Sequence, residues 1–190
     1  TAYNFMGGIM NSAEALTAWF NPTINSYKRI NAPVTASGAT WSPNTITYSG
    51  NNRTHMIRVP GPGRFELRLM DGATNPYLLQ AGILAAGIDG IEKKRKPGKP
   101  INLNMYEEAH KLKGAKKLPL NLNKALNHLD KSKILKHAFG KDVINSYIAL
   151  KNREIKKYNS SKENKIGFKK SKSNKSNIIT QWERDNTLDC

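Results

Sequence analysis

Six consecutive residues, Arg64 to Leu69, alternate between charged and apolar side chains. A β-strand points successive side chains to opposite faces, so Arg64, Glu66 and Arg68 would share one face and the apolar residues the other. A carboxylate between two guanidinium groups stays ionised at neutral pH and can bind a divalent metal, while the arginines can bind carboxylate or phosphate groups. The segment is therefore suited to phosphoryl transfer, although a solvated edge strand with cross-strand ion pairs shows the same pattern.

Most of the positive charge lies in the second half of the chain. The net charge is +17, to which residues 1–90 contribute +2 (6 basic, 4 acidic) and residues 91–190 contribute +15 (25 basic, 10 acidic). No nucleic-acid-binding motif accompanies these lysines, so we interpret them as a solvated surface and keep a basic nucleic-acid-binding module as the alternative of another class. The single cysteine, Cys190, excludes an intrachain disulfide framework and fits a reducing cytoplasm.

The first half of the chain combines helix and strand patterns, which predicts an α+β fold. Apolar residues at three- and four-residue intervals predict a helix from Met6 to Phe20. β-branched and aromatic residues predict strands over 45–49 and 53–59, and the Pro-Gly repeat at 60–63 predicts a turn into the alternating segment. We expect these strands to form an antiparallel meander or hairpin.

Helices are predicted to dominate the remainder. Asn75 and Pro76 supply the N-cap and first turn of a helix that runs to about Lys94, with its leucines and isoleucines buried and its glycines allowing close packing. That segment is too short and too interrupted to be a membrane span. The other predicted helices cover 105–112, 121–129, 131–138 and 140–157.

The end of the chain has a different composition. Residues 159–177 are rich in Lys, Ser and Asn with few apolar side chains, so we expect them to remain mobile. We divide the chain into a domain part, residues 1–157, and a basic, largely flexible tail, residues 158–190. Since Met6 already lies inside a helical pattern, we also expect the chain to begin within a domain.

Five sequence blocks follow one another over about fifty residues. They are Asn-Ser-Tyr-Lys-Arg (25–29), Asn-Asn-Arg-Thr (51–54), Ile-Arg-Val-Pro (57–60), Arg-Phe-Glu-Leu-Arg (64–68) and Asp-Gly-Ala-Thr-Asn-Pro-Tyr (71–77). Together with the helical segment 85–91, they resemble the glutamine synthetase family, over residues 1 to about 157. The resemblance implies the C-terminal part of that family's catalytic domain, in which an antiparallel sheet is backed by helices.

The resemblance also implies an activity. Members of the family are ATP-dependent ligases that activate glutamate as γ-glutamyl phosphate, which ammonia or an amine then converts to an amide. Two Mg²⁺ or Mn²⁺ ions support the reaction, and the enzymes are cytoplasmic ring-shaped oligomers with sites between subunits. The family's amino-terminal domain, its other glutamate ligands and its metal-binding histidine would precede residue 1, so we expect this chain alone to be inactive.

Five residues match the functional positions of these motifs. By resemblance, Arg29 and Arg68 would bind the carboxylates of glutamate, Arg53 would contact the ATP phosphates and the transferring phosphoryl group as the catalytic arginine, and Arg58 would bind ATP. Glu66 would be a metal ligand, for which an ionised carboxylate is required. Without the motifs, the arginines could be helix-capping or solvent-facing residues. Arg53 and Arg58 differ by an odd number, so a bulge or strand end must lie between them.

The segment after the first block departs from ammonia-using members. Those members carry a loop with a glutamate that accepts a proton from ammonium, whereas residues 30–41 contain no acid, and none occurs between Glu14 and Glu66. An uncharged cover favours an alkylated amine, because burying a cation without a counter-charge is costly. In this respect the chain resembles type III glutamate–ammonia ligases and γ-glutamylmethylamide synthetases, so a methylamine-using ligase is the alternative to glutamine synthesis.

Overall fold

The computed structural model describes residues 1–32, 42–161 and 179–187. Within them the chain forms a mixed helical and three-stranded structure, which confirms the predicted α+β class. The elements are α1 (Ala2–Phe20), α2 (Ser26–Ile30), β1 (Tyr48–Ser49), β2 (Ile57–Gly61), β3 (Arg64–Leu67), α3 (Pro76–Glu92), a 3₁₀ turn (Ala109–Lys111), α4 (Leu122–Lys131), α5 (Lys133–Phe139), α6 (Lys141–Ser160) and α7 (Gln181–Thr187). Among the described helices, none combines the length and the hydropathy needed to cross a bilayer.

The sheet has the strand order β1-β2-β3. Strands β2 and β3 form the predicted antiparallel hairpin, with Arg58 opposite Glu66, and the turn contains Gly63 at a φ of 79°. Strand β1 instead pairs with β2 in parallel, so the expectation of a wholly antiparallel sheet was wrong for this pair. The reason is that residues 50–56 form successive bends and turns, which return the chain to enter β2 in the direction of β1.

Helices α1 and α3 pack with their backbones in contact. A Cβ atom on Gly8 would lie 2.0 Å from the carbonyl oxygen of Ala86, and one on Gly90 would lie 2.2 Å from the carbonyl oxygen of Asn4. Real side chains do not tolerate such approaches, so glycine is required at both positions. The small residues predicted to allow close packing therefore form the contact itself.

Because of this close approach, the buried face of α3 differs from the one predicted from the sequence. The buried positions of the helix are Gly82, Ala86, Gly87, Asp89 and Gly90. Leu84, Ile88 and Ile91 are exposed to 54%, 48% and 38%, so the prediction that they are buried was wrong. A helix that approaches its neighbour through glycine presents its small face to the core, and its larger side chains point elsewhere.

The later helices complete the core. Leu122, Leu126 and Leu129 of α4 are buried in the same apolar cluster as α1. Tyr147 of α6 donates a hydrogen bond to the carbonyl oxygen of Ala18 at 2.7 Å. The helices predicted over 121–129, 131–138 and 140–157 are confirmed, whereas the one predicted over 105–112 is reduced to the 3₁₀ turn.

Part of the tail that we expected to be flexible is helical. Helix α6 continues to Ser160, and α7 buries Glu183 and Thr187. Residues 162–178, which include most of the segment predicted to be mobile, lie outside the described residues.

We predict that Gly8→Ala destabilises the chain by about 1–3 kcal/mol, because the new methyl group must push two backbones apart. Helix propensity alone predicts the opposite sign, since alanine is favoured over glycine within a helix by about 1 kcal/mol. Urea unfolding of both proteins measures the difference. Gly72→Ala is the matched control, because no atom lies within 4 Å of its Cβ position. A Gly8→Ala protein at least as stable as the wild type would contradict the close helix contact.

Candidate active site

The charged side chains Glu66 and Arg68 of the alternating segment lie where four elements meet. Asn21 caps the end of α1, Arg29 lies on α2, Arg58 lies on β2 and Glu66 lies on β3. Arg68 follows β3 directly, and its backbone N–H donates to the carbonyl oxygen of Met56 at 2.8 Å. The hairpin and the end of the first helix therefore bring these polar side chains together.

Glu66 bridges two arginines. Its Oε2 accepts a hydrogen bond from Arg58 Nη1 at 2.9 Å, and its Oε1 accepts one from Arg68 Nη1 at 2.6 Å. The side chains are exposed to 38% for Glu66, 12% for Arg58 and 32% for Arg68, so the cluster is reachable from solvent. Arg58 is also fixed from its other side, because Nε donates to Asn51 Oδ1 at 2.8 Å. The predicted common face of Glu66 and Arg68 is thus observed.

The two ion pairs determine the charge state of the carboxylate. The hydrogen bond from Arg68 lowers the pKa of Glu66, burial opposes this shift, and the hydrogen bond from Arg58 adds to the lowering. The folded pKa therefore lies below the ordinary glutamate value, and Glu66 is ionised throughout the neutral range.

Arg29 is held by three acceptors. Nη1 donates to Ser42 Oγ at 2.7 Å, and Nη2 donates to Asn21 Oδ1 at 2.7 Å and to the carbonyl oxygen of Leu69 at 3.1 Å. Burial lowers the pKa of Arg29, the negative charge of Asp71 opposes the shift, and the positive charge of Arg68 adds to the lowering. Arg29 therefore lies within electrostatic range of Arg68, and the cluster that begins with Glu66 extends to α2.

Asn21 is a site residue that the sequence reasoning missed. Its side chain is fully buried, and Nδ2 donates to the same Leu69 carbonyl oxygen at 2.9 Å while Oδ1 accepts from Arg29. In the sequence, Asn21 is only the residue that follows the helix predicted from Met6 to Phe20. Its position eight residues before Arg29 carries no periodic signal, so only the folded chain reveals the contact.

Two arginines stand apart from this cluster: Arg53, which belongs to the predicted set, and Arg64, which does not. Arg53 lies exposed in the turn before β2, which is the strand end that its odd spacing from Arg58 required. Within the part of the chain that the structure describes, no hydrogen bond or ion pair connects Arg53 to Arg29, Glu66 or Arg68. Arg64, which had no assigned role, is exposed at the start of β3.

The donor set fits a hard divalent cation in part. A carboxylate has about four lone-pair directions, and the two guanidinium hydrogen bonds leave Glu66 with free ones. Mg²⁺ is commonly held by one or two carboxylates together with phosphate oxygens and water, so a single glutamate is compatible with it. Over residues 1–32, 42–161 and 179–187 there is no group of three or more His, Cys, Asp or Glu side chains that could hold a metal. Further protein ligands would have to come from elsewhere.

His55 has a structural role. It is fully buried, Nδ1 lies 2.9 Å from Thr47 Oγ1, and Nε2 lies 3.0 Å from the carbonyl oxygen of Leu103. Burial lowers its pKa, which favours the neutral ring.

The segment 33–41, on which the uncharged-cover interpretation depends, lies outside the described residues.

The site as a whole is a cationic cluster around one ionised carboxylate. Three guanidinium groups can bind anions through directed hydrogen bonds, and Glu66 can supply an oxygen ligand to a cation that accompanies those anions. Carboxylate substrates and metal-bound phosphates both meet these requirements.

The chain matches one family model and is similar to several known proteins. Residues 1–167 match the family model described as the glutamine synthetase catalytic domain. The chain is 55% identical to a glutamine synthetase of Rhizobium leguminosarum bv. phaseoli, over 97% of this chain and 39% of the relative. It is 44% identical to a glutamate–methylamine ligase of Methyloversatilis universalis, over 83% of this chain and 36% of the relative. A solved structure of GmaS with ADP superposes with a TM-score of 0.79 at 50% identity, covering 100% of this chain and 40% of that chain. The chain thus spans about two fifths of the length of these proteins, and over that span it belongs to the glutamine synthetase family.

Proposed function

We propose that the complete protein carrying this chain is an ATP-dependent ligase that forms an amide at the γ-carboxylate of glutamate. The observation that supports this most strongly is the placement of Glu66 between Arg58 and Arg68, close to Arg29, in a chain of the glutamine synthetase family. Ammonia is the first proposed acceptor, which makes the product glutamine.

The proposed reaction has two steps. In the first, an oxygen of the γ-carboxylate attacks the γ-phosphorus of ATP, the bond to the bridging oxygen breaks, and ADP leaves. In the second, the amine nitrogen attacks the acyl carbon, the bond to the phosphate oxygen breaks, and phosphate leaves as the nitrogen loses a proton. The first step gathers negative charge on the phosphoryl oxygens, so fixed cations that need no reorganisation lower its barrier.

Each arginine has a proposed part in these steps. Arg29 and Arg68 bind the carboxylates of glutamate, and their fixed positions orient the nucleophilic oxygen. Arg58 binds the ATP phosphates. Arg53, which is exposed in the turn before β2, contacts the phosphates and the transferring phosphoryl group. Lysine would replace these residues poorly because it lacks the planar pair of donors.

Glu66 is the proposed metal ligand. A Mg²⁺ or Mn²⁺ ion at this position would neutralise phosphate charge and orient the γ-phosphoryl group. The same carboxylate orients the Arg58 and Arg68 guanidinium groups, so it aligns the anion-binding donors as well as offering an oxygen to the ion.

Methylamine is the second candidate acceptor. The similarity to a glutamate–methylamine ligase and to GmaS favours this acceptor. It is also favoured by the absence of acidic residues between Glu14 and Glu66, which leaves the segment expected to cover the amine without negative charge. The complete protein is further proposed to be a cytoplasmic ring of identical subunits. That assembly is supported by the family.

We expect Glu66→Gln to lower the kcat of the complete protein by about 100-fold, because the amide keeps the size but binds the metal and the arginines weakly. ATP- and glutamate-dependent phosphate release measures the change. Glu92→Gln, the same substitution at an exposed position at the end of α3, should leave kcat within about twofold. A Glu66→Gln enzyme within threefold of the wild type would rule out the proposed role of Glu66.

The charge state of Glu66 gives a second test. Because its folded pKa is lowered, both ion pairs persist above the ordinary glutamate pKa of about 4.3 and are lost only as the pH falls through the lower folded value. We expect ¹³C NMR of the side-chain carboxyl to titrate below 4.3 and Arg68→Gln to raise that midpoint. An unchanged midpoint in Arg68→Gln would mean that this arginine does not lower the pKa of Glu66.

The choice of amine is tested by comparing ammonium with methylamine as the co-substrate. Glutamate-dependent phosphate release with ammonium as the preferred amine supports glutamine synthesis. A preference for methylamine supports the second candidate. If neither amine stimulates phosphate release by the complete protein, the ligase proposal fails.

A further inference from the structure

Helix α7 is attached to the site-bearing helix α2 by a buried ion pair. Lys28 Nζ donates to Glu183 Oε2, and the two side chains are exposed to only 11% and 0%. The residues are separated by 155 positions in sequence, so the pair fixes the end of the chain against the Asn-Ser-Tyr-Lys-Arg motif. A second contact holds α7 against α6: the rings of Tyr158 and Trp182 meet edge to face, with centroids 5.2 Å apart.

Glu183 also completes the start of its own helix. Its Oε2 accepts from the backbone N–H of Thr180 at 2.7 Å and from Thr180 Oγ1 at 3.0 Å, while its own N–H donates to that Oγ1 at 3.3 Å. This is a capping box, in which glutamine can replace glutamate. The capping function and the pairing with Lys28 can therefore be separated by substitution.

Helix α2 needs external support. It has five residues, and helices of that length are not stable in isolation. Successive side chains on a helix point about 100° apart, so Lys28 and Arg29 face different directions. Lys28 faces α7, and Arg29 faces Asn21, Ser42 and the end of β3. The helix is therefore held from two sides by adjacent residues.

We propose that Glu183, acting through Lys28, is a positioning residue for Arg29. The ion pair fixes the rotation of α2 about its axis, and that rotation determines where the Arg29 guanidinium lies relative to Arg68. Glu183 does not itself touch substrate. The kinetic consequence rests on the proposed function, because Arg29 is there assigned to a carboxylate of glutamate.

The test compares Glu183→Gln with Thr180→Val. The first keeps a side chain that can cap the helix but removes the negative charge opposite Lys28, and the second removes the capping hydroxyl but keeps that charge. In the complete protein we expect Glu183→Gln to raise the KM for glutamate by about 3- to 10-fold with kcat within about twofold. Thr180→Val should change KM by less than about twofold.

A second pair of variants tests the other partner. Lys28→Met should reproduce the Glu183→Gln effect, and Lys28→Arg, which can still pair with Glu183, should stay near the wild-type KM. Equal effects of Glu183→Gln and Thr180→Val would overturn the proposal, since attachment of α7 rather than the charge pair would then matter. An unchanged KM in Glu183→Gln would overturn it as well.

Hydrogen exchange separates this proposal from the ligase proposal. Amide exchange in residues 26–31 should be faster in Glu183→Gln than in Thr180→Val, whether or not the protein is a ligase. Exchange rates equal to those of the wild type would reject the ion pair as a support for α2. If the two variants show this exchange difference but the complete wild-type protein has no ligase activity, the proposed function alone is rejected.

Discussion

The guanidinium groups of Arg29, Arg58 and Arg68 lie close together, and the negative charge of Glu66 stabilises Arg58 and Arg68 in this arrangement. Like charges at this spacing repel, and the two hydrogen bonds to Glu66 offset that repulsion while fixing both arginines in orientation. The third, Arg29, is balanced by neutral acceptors and by the nearby charge of Asp71. The proposed binding of anions depends on this arrangement, because uncompensated arginines would turn towards solvent.

The position of the carboxylate depends in turn on helix packing. The glycine contact between α1 and α3 fixes α1 against its neighbour, and at the C-terminal end of α1 the carbonyl oxygen of Phe20 accepts from Asp71 N at 3.0 Å and from Thr74 Oγ1 at 2.6 Å. These bonds join the first helix to the segment that follows β3. Asn21 at the same helix end then reaches Arg29. A change in the interhelical distance would therefore displace the arginines relative to one another.

Much of this structure could be predicted from local patterns. The Asn75 cap is confirmed by its hydrogen bonds to the N–H groups of Tyr77 and Leu78, and alternation placed Glu66 and Arg68 on one face. Periodicity failed where packing overrides hydrophobicity: on α3 the glycine face is buried and Leu84 is exposed. Contacts between distant residues gave no local signal. The Asn21–Arg29 hydrogen bond and the Lys28–Glu183 pair arise only when separate elements come together.

In the proposed function, Glu66 binds a divalent metal while the surrounding arginines bind the anions that accompany it. The most direct measurement is the anomalous difference density of Mn²⁺ in crystals of the complete protein with ADP and glutamate. We expect a peak roughly 2.1 Å from a carboxylate oxygen of Glu66, with nucleotide phosphate on Arg58 and the glutamate carboxylates on Arg29 and Arg68. A fully occupied Mn²⁺ site bound by other residues, with Glu66 paired only to its two arginines, would contradict it.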